Sequence, residues 1–148
     1  MKNVDLNILL VEDCEIDQMF FKKAIESISM KTKLVILNDG EELMKYLGKE
    51  IDFKPHILFL DIQLPKKSGL ECLKEIRLNS KWSELCIVIY SNSKNDIDVE
   101  KAFVNGANIF LNKPNEIDKL VEAVKRVFSI NWQYLTSSMN RDTFIMNI

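Results

Sequence analysis

The sequence predicts one α/β domain, a five-stranded parallel sheet with helices on both faces. Three observations lead there. The chain has 148 residues, 47% of them hydrophobic, which suits a single domain with a single core. Five short apolar runs, rich in branched residues, recur along it and mostly lack period-two alternation, as strands buried on both faces do. Segments with helical period separate them, the alternation that βαβ crossovers require.

In chain order, Leu6-Asn7-Ile8-Leu9-Leu10-Val11 is the first strand. Ile16, Met19, Phe20, Ala24 and Ile28 follow at helical steps and predict a helix with that face buried. Leu34 to Leu37 is the second strand, followed by a short helix carrying Leu43, Met44 and Leu47. Ile57 to Leu60 is the third, followed by a helix carrying Leu70, Leu73 and Ile76. Leu85 to Tyr90 is the fourth, with Ala102 and Phe103 marking a weaker helix behind it. Ile109-Phe110-Leu111 is the fifth. The last helix is the clearest, with Ile117, Leu120, Val121, Val124, Val127 and Phe128 opposite Lys119, Glu122, Lys125 and Arg126.

The pattern ends near residue 130, which predicts a domain over residues 1–130 and an extension over 131–148, too short for an output domain. That extension holds Trp132, Tyr134, Leu135, Phe144, Ile145 and Met146, more apolar than a disordered terminus needs. Trp132 to Leu135 is expected to fold back on the domain. The alternative is that Thr143 to Met146 pairs with another chain as an edge strand, giving a homodimer.

Composition excludes several classes. Twenty basic and 22 acidic residues leave a net charge of −2, with no excess to track a phosphate backbone, so no nucleic-acid partner is expected. The apolar run of the first strand is stopped by Glu12-Asp13, too early for export or for a membrane span, which points to a cytoplasmic protein. Cys14, Cys72 and Cys86 are an odd number without a CxxC pair and read as reduced thiols. A zinc site is not expected, because His56 is the only histidine.

The informative polar residues stand where strands end. The first strand runs into Glu12-Asp13, the third into Asp61 and the fourth into Ser91, and the fifth is followed by Asn112-Lys113-Pro114. In an open parallel sheet, ligands bind outside the carboxyl ends of the strands. Singly, each of these residues reads as a cap, a turn or solvated surface. Together they bring three carboxylates, a hydroxyl and an ammonium to one edge. Crowded carboxylates disfavour one another's ionised form, and a hard divalent ion such as Mg2+ is their natural complement. Asp61 is the candidate nucleophile, since an aspartate forms an acyl phosphate. Lys113, Ser91 and backbone amides would hold the phosphoryl oxygens.

These residues carry a resemblance to the receiver domain of two-component response regulators. The matching segments are Ile8 to Asp13, Asn38 to Glu42, Ile57 to Pro65 with Ser68-Gly69-Leu70, Tyr90-Ser91, Asn105-Gly106-Ala107 and Phe110 to Pro114. The resemblance implies a doubly wound sheet of order 2-1-3-4-5, the order for which a receiver is a standing example. It implies a stand-alone regulator, a phosphoacceptor switch rather than an enzyme, phosphorylated on Asp61 by a sensor histidine kinase or a histidine phosphotransfer protein. An unidentified protein would receive the signal. Mg2+ would be held by Asp13, Asp61 and the Gln63 carbonyl, with Glu12 acting through water. Lys113 and the backbone at Gln63 and Asn92 would hold the phosphoryl group. Ser91 would move towards it, Phe110 would be the switch aromatic, and the Lys113–Pro114 bond would be cis.

The chain departs from the commonest pattern in small ways. Ser91 replaces a frequent Thr, Asn92 stands where a small residue is usual, and Cys14 leaves the first helix with a weaker cap. Two other readings use the same edge. A haloacid dehalogenase-type phosphohydrolase would need a second Asp two residues after Asp61, where this chain has Gln63. A receiver-like interaction module that is never phosphorylated usually lacks Asp61, the acidic pair or Lys113, and this chain keeps all of them. A flavin-binding protein of the same topology is more distant, for want of a phosphate loop.

Overall fold

The computed structural model describes residues 5–49, 53–130 and 144–146. Strands β1 (Leu6–Val11), β2 (Thr32–Leu37), β3 (Ile57–Leu60), β4 (Cys86–Ser91), β5 (Ile109–Asn112) and β6 (Ile145–Met146) form one sheet. Its order is β2-β1-β3-β4-β5-β6, and every neighbouring pair is parallel. The expected five-strand order is therefore present, with a sixth strand added at the β5 edge.

Helices α1 (Glu15–Glu26), α2 (Gly40–Leu47), α3 (Gly69–Leu78), α4 (Asp96–Val104) and α5 (Ile117–Ser129) cover the sheet. Alternate strand residues point to opposite faces, and two apolar layers result. Leu9, Val11, Leu58, Leu60, Ile87 and Ile89 pack with Leu43 and Leu47 of α2, Cys72, Leu73 and Ile76 of α3, and Ala102 of α4. Ile8, Leu10, Phe59, Val88, Tyr90 and Leu111 pack with Phe21, Ala24 and Ile25 of α1 and with Leu120, Val124 and Val127 of α5. Phe21 lies edge-on to both Phe59 and Tyr90, with ring centroids 4.9 and 5.6 Å away.

The first helix differs from its sequence reading. Of the face expected inside, Ala24 and Ile28 are buried, but Ile16 and Met19 are 77% and 61% exposed, and Phe21 and Ile25 are buried in their place. The buried stripe runs at steps of three and four from Phe21, turned away from the Ile16–Met19 side. The packing partner on α5, not the count of apolar residues, chose between two overlapping stripes. As expected, Cys14 gives α1 no side-chain cap. Asp39, Ser68 and Asn95 do cap their helices, accepting from the amides of Glu42, Glu71 and Ile97.

Two glycines hold the loop after β3. A Cβ on Gly69 would stand 1.9 Å from the Asp61 carbonyl oxygen, and one on Gly40 would stand 2.0 Å from that of Lys67. The Gly69 amide also donates to the Ile62 carbonyl at 2.9 Å. Both motifs thus wedge the Asp61 loop between α2 and α3.

At the other edge, Ile145 pairs with Phe110 and Met146 with Leu111. Phe144 is fully buried, its ring 5.2 Å from Phe103 and 6.3 Å from Phe110. The segment whose pairing with another chain was the alternative reading pairs with its own β5 through Ile145 and Met146, where a tethered strand bears only the closure of its linker. Trp132 to Leu135, expected to fold back, and Thr143 lie outside the described residues.

Candidate functional site

Parallel pairing places the ends of β1, β3, β4 and β5 side by side, so their next residues meet. The Glu12 amide donates to the Leu37 carbonyl and the Asp61 amide to the Val11 carbonyl, which continues the strand ladders into the site. Lys113 is fixed in the same way, its amide donating to the Ser91 carbonyl at 3.0 Å.

The Lys113 ammonium is the centre of the arrangement. It donates to Glu12 Oε1 at 2.5 Å, Asp61 Oδ2 at 2.9 Å and Asp17 Oδ2 at 3.0 Å. It also stands 5.5 Å from the centroid of the Tyr90 ring. Burial alone would lower the Lys113 pKa, but its bonds to Glu12 and Asp61 outweigh this and hold it well above the ordinary lysine value. Burial pushes the Glu12 carboxyl up, and the nearby Asp61 charge adds to it, against the pull of Lys113. Burial likewise raises the Tyr90 hydroxyl far above its usual range, so that ring is neutral.

Glu12 and Asp61 are each held on a second side. Glu12 Oε2 accepts from the Cys14 amide at 3.2 Å, and Asp61 Oδ1 accepts from the Gln63 amide at 3.2 Å. Oxygens of Glu12, Asp13 and Asp61 lie within 4.8 Å of one another. Hard oxygen donors at that spacing fit a divalent cation.

Glu12, Asp13, Asp61 and Lys113 are thus brought together as the sequence predicted. Ser91 is buried at the end of β4, its hydroxyl accepting from the Ser93 amide at 3.2 Å. Gln63 and Asn92 are exposed on the loops that follow Asp61 and Ser91. Phe110 is buried in β5, with Phe144 against it. One expectation fails, because no peptide bond among the described residues is cis, Lys113–Pro114 included. Trans is the lower-energy isomer by about 0.5–1 kcal/mol, and from it Lys113 already reaches three carboxylates.

Two residues of the site escaped the sequence reading, Asp17 and Tyr90. Asp17 precedes Phe21, Ala24 and Ile28 by four, seven and eleven positions, so it extends the buried stripe of α1. The correct stripe would have pointed to it.

Comparison with known proteins gives the same picture. The family model for the response regulator receiver domain matches residues 8–125. The response regulator Rcp1 of Synechocystis is 30% identical over 126 residues, covering 82% of this chain and 86% of that protein. The Mn2+-bound structure of Rcp1 superposes with a TM-score of 0.75 at 28% identity, over 90% of this chain and 97% of that one. The phosphorylated cyanobacterial phytochrome response regulator RcpA gives 0.77 at 27% identity, over 92% and 98%. The family match runs from β1 into α5, across every strand end that meets Lys113, and the chain belongs to the response regulator receiver domain family.

Proposed function

We propose that this protein is a stand-alone, cytoplasmic response regulator and not an enzyme. Its receiver domain spans residues 1–130, its extension spans 131–148, and it accepts a phosphoryl group on Asp61. The observation that carries this reading is the Lys113 ammonium held between Asp61 and Glu12 at the strand ends. The donor is a phosphohistidine on a sensor histidine kinase or a histidine phosphotransfer protein. An Asp61 carboxylate oxygen attacks phosphorus, the P–N bond breaks, and its electron pair stays on that imidazole nitrogen, so that a donor ring protonated on its other nitrogen leaves as neutral imidazole.

Mg2+ is the proposed cation, and it would supply positive charge for the phosphoryl oxygens. Asp13, Asp61 and the Gln63 carbonyl would hold it, with Glu12 acting through water. On this chain, Lys113 binds one phosphoryl oxygen through a charge-assisted bond. The Ser91 hydroxyl at the end of β4 and the Gln63 and Asn92 amides on the loops would take the others. Ser91 would carry the change to Phe110, whose ring already packs against Phe144. The signal then passes to a protein partner.

Incubation with acetyl phosphate and Mg2+, followed by intact mass and mapping of the modified residue, tests the assignment. One phosphoryl group on Asp61 is expected, base-labile, and absent from Asp61→Asn. Full-stoichiometry labelling of that variant rejects Asp61 as the acceptor.

A further inference from the structure

We propose that Asp17 is a positioning residue for phosphoryl acceptance, one that holds Lys113 in the cluster and competes with the phosphoryl group for its ammonium. The proposal rests on the reading of Asp61 as the acceptor. An ammonium has three N–H donors, and here Glu12, Asp17 and Asp61 take one each. A phosphoryl group on Asp61 needs Lys113, so the ammonium has to exchange partners when it arrives.

The three carboxylates are not equally easy to release. Glu12 has a side chain 1% exposed and is pinned from behind by the Cys14 amide. Asp61 is the point of attachment itself. Asp17 is 33% exposed, on the first turn of α1, and returns to water at the least desolvation cost. It is therefore the partner that can let go and take hold again without disturbing the strand ends.

Its charge also sets what the site attracts. Asp17 adds a fourth carboxylate to the group formed by Glu12, Asp13 and Asp61. That charge draws a divalent cation and repels an incoming phosphoryl anion. Asp17→Asn keeps the shape and removes the charge, so the two ligands should respond in opposite directions. A residue that merely braces α1 would move both the same way.

The test follows amide resonances of the intact chain in two titrations, Mg2+ alone and beryllofluoride at saturating Mg2+. For Asp17→Asn, Mg2+ should bind about threefold to tenfold more weakly and beryllofluoride tighter by a similar factor, the size of one screened unit charge a few ångströms away. The acetyl phosphate concentration for half-maximal phosphorylation should fall in parallel, by more than any change in the maximal rate. Both shifts should shrink as salt is raised. Asp17→Glu, which restores the charge, should lie close to wild type in both titrations. Weakening of both ligands, or change in neither, overturns the proposal while leaving Asp61 as acceptor. A wild-type protein that takes no beryllofluoride at all overturns both readings.

Discussion

Lys113→Ala should cost the metal-free protein about 3–5 kcal/mol at neutral pH, the usual penalty for removing one partner of a buried ion pair. The reason lies in what it leaves behind. Glu12 is 1% exposed and Asp61 6%, and Lys113 is the cation that joins them. The pH dependence has a definite sign. The folded-state pKa of Glu12 is raised, chiefly by burial, so the folded chain holds its proton more tightly than the unfolded one. Stability from that group is present in full below the usual carboxylate range and is lost as pH rises through the raised value. Without Lys113 the loss is unopposed, so the variant should lag the wild type most at neutral pH and least in acid. Millimolar Mg2+ should restore much of the difference. Urea unfolding at two pH values, with and without Mg2+, measures all of this. A variant as stable as wild type at neutral pH without the cation would contradict it.

Gly69→Ala should slow phosphorylation about a hundredfold or more although it removes no charged group of the site. Its new methyl would lie 1.9 Å from the Asp61 carbonyl oxygen and 2.9 Å from the Ile62 Cα, both backbone atoms. Relief requires the end of β3 to move by about an ångström, and displacement on that scale costs on the order of a hundredfold in rate. Overpacking adds about 1–3 kcal/mol of destabilisation. Gly48→Ala is the control. Its nearest neighbour is the Met44 carbonyl of the preceding turn at 3.3 Å, so it should be close to neutral in both respects. Acetyl phosphate kinetics on the two variants separate these outcomes, and equal rates would show that the Gly69 contact does not position Asp61.

The strand ends were legible because the chain changes character there abruptly. Val11 gives way to Glu12, Leu60 to Asp61 and Leu111 to Asn112, and a parallel sheet aligns those steps at one edge. The face of α1 was only partly legible. Ala24 and Ile28 were read as core and are, but Ile16 and Met19 look like core too, and only the docking of α1 against α5 shows that Phe21 and Ile25 are buried in their place. Asp17 was lost with that face. Tyr90 was read as a strand residue, but nothing local says that its ring stands under the Lys113 ammonium. Nor could two residues at 145 and 146 announce their partner strand, since pairing that short is decided by the burial of Phe144.

The outer edge of β5 is a binding site already in use. An open edge accepts any extended chain that offers backbone groups, but here Ile145 and Met146 take the positions beside Phe110 and Leu111. Covalent attachment gives a short tethered strand an effective concentration on the order of millimolar. A free peptide at micromolar concentration must therefore bind about a thousandfold more tightly than the tethered strand to share the edge equally. Displacement of β6 is therefore a matter of threshold, with weak encounters filtered out. Phe144 rests on Phe110, so the threshold rises or falls with the packing of that one ring.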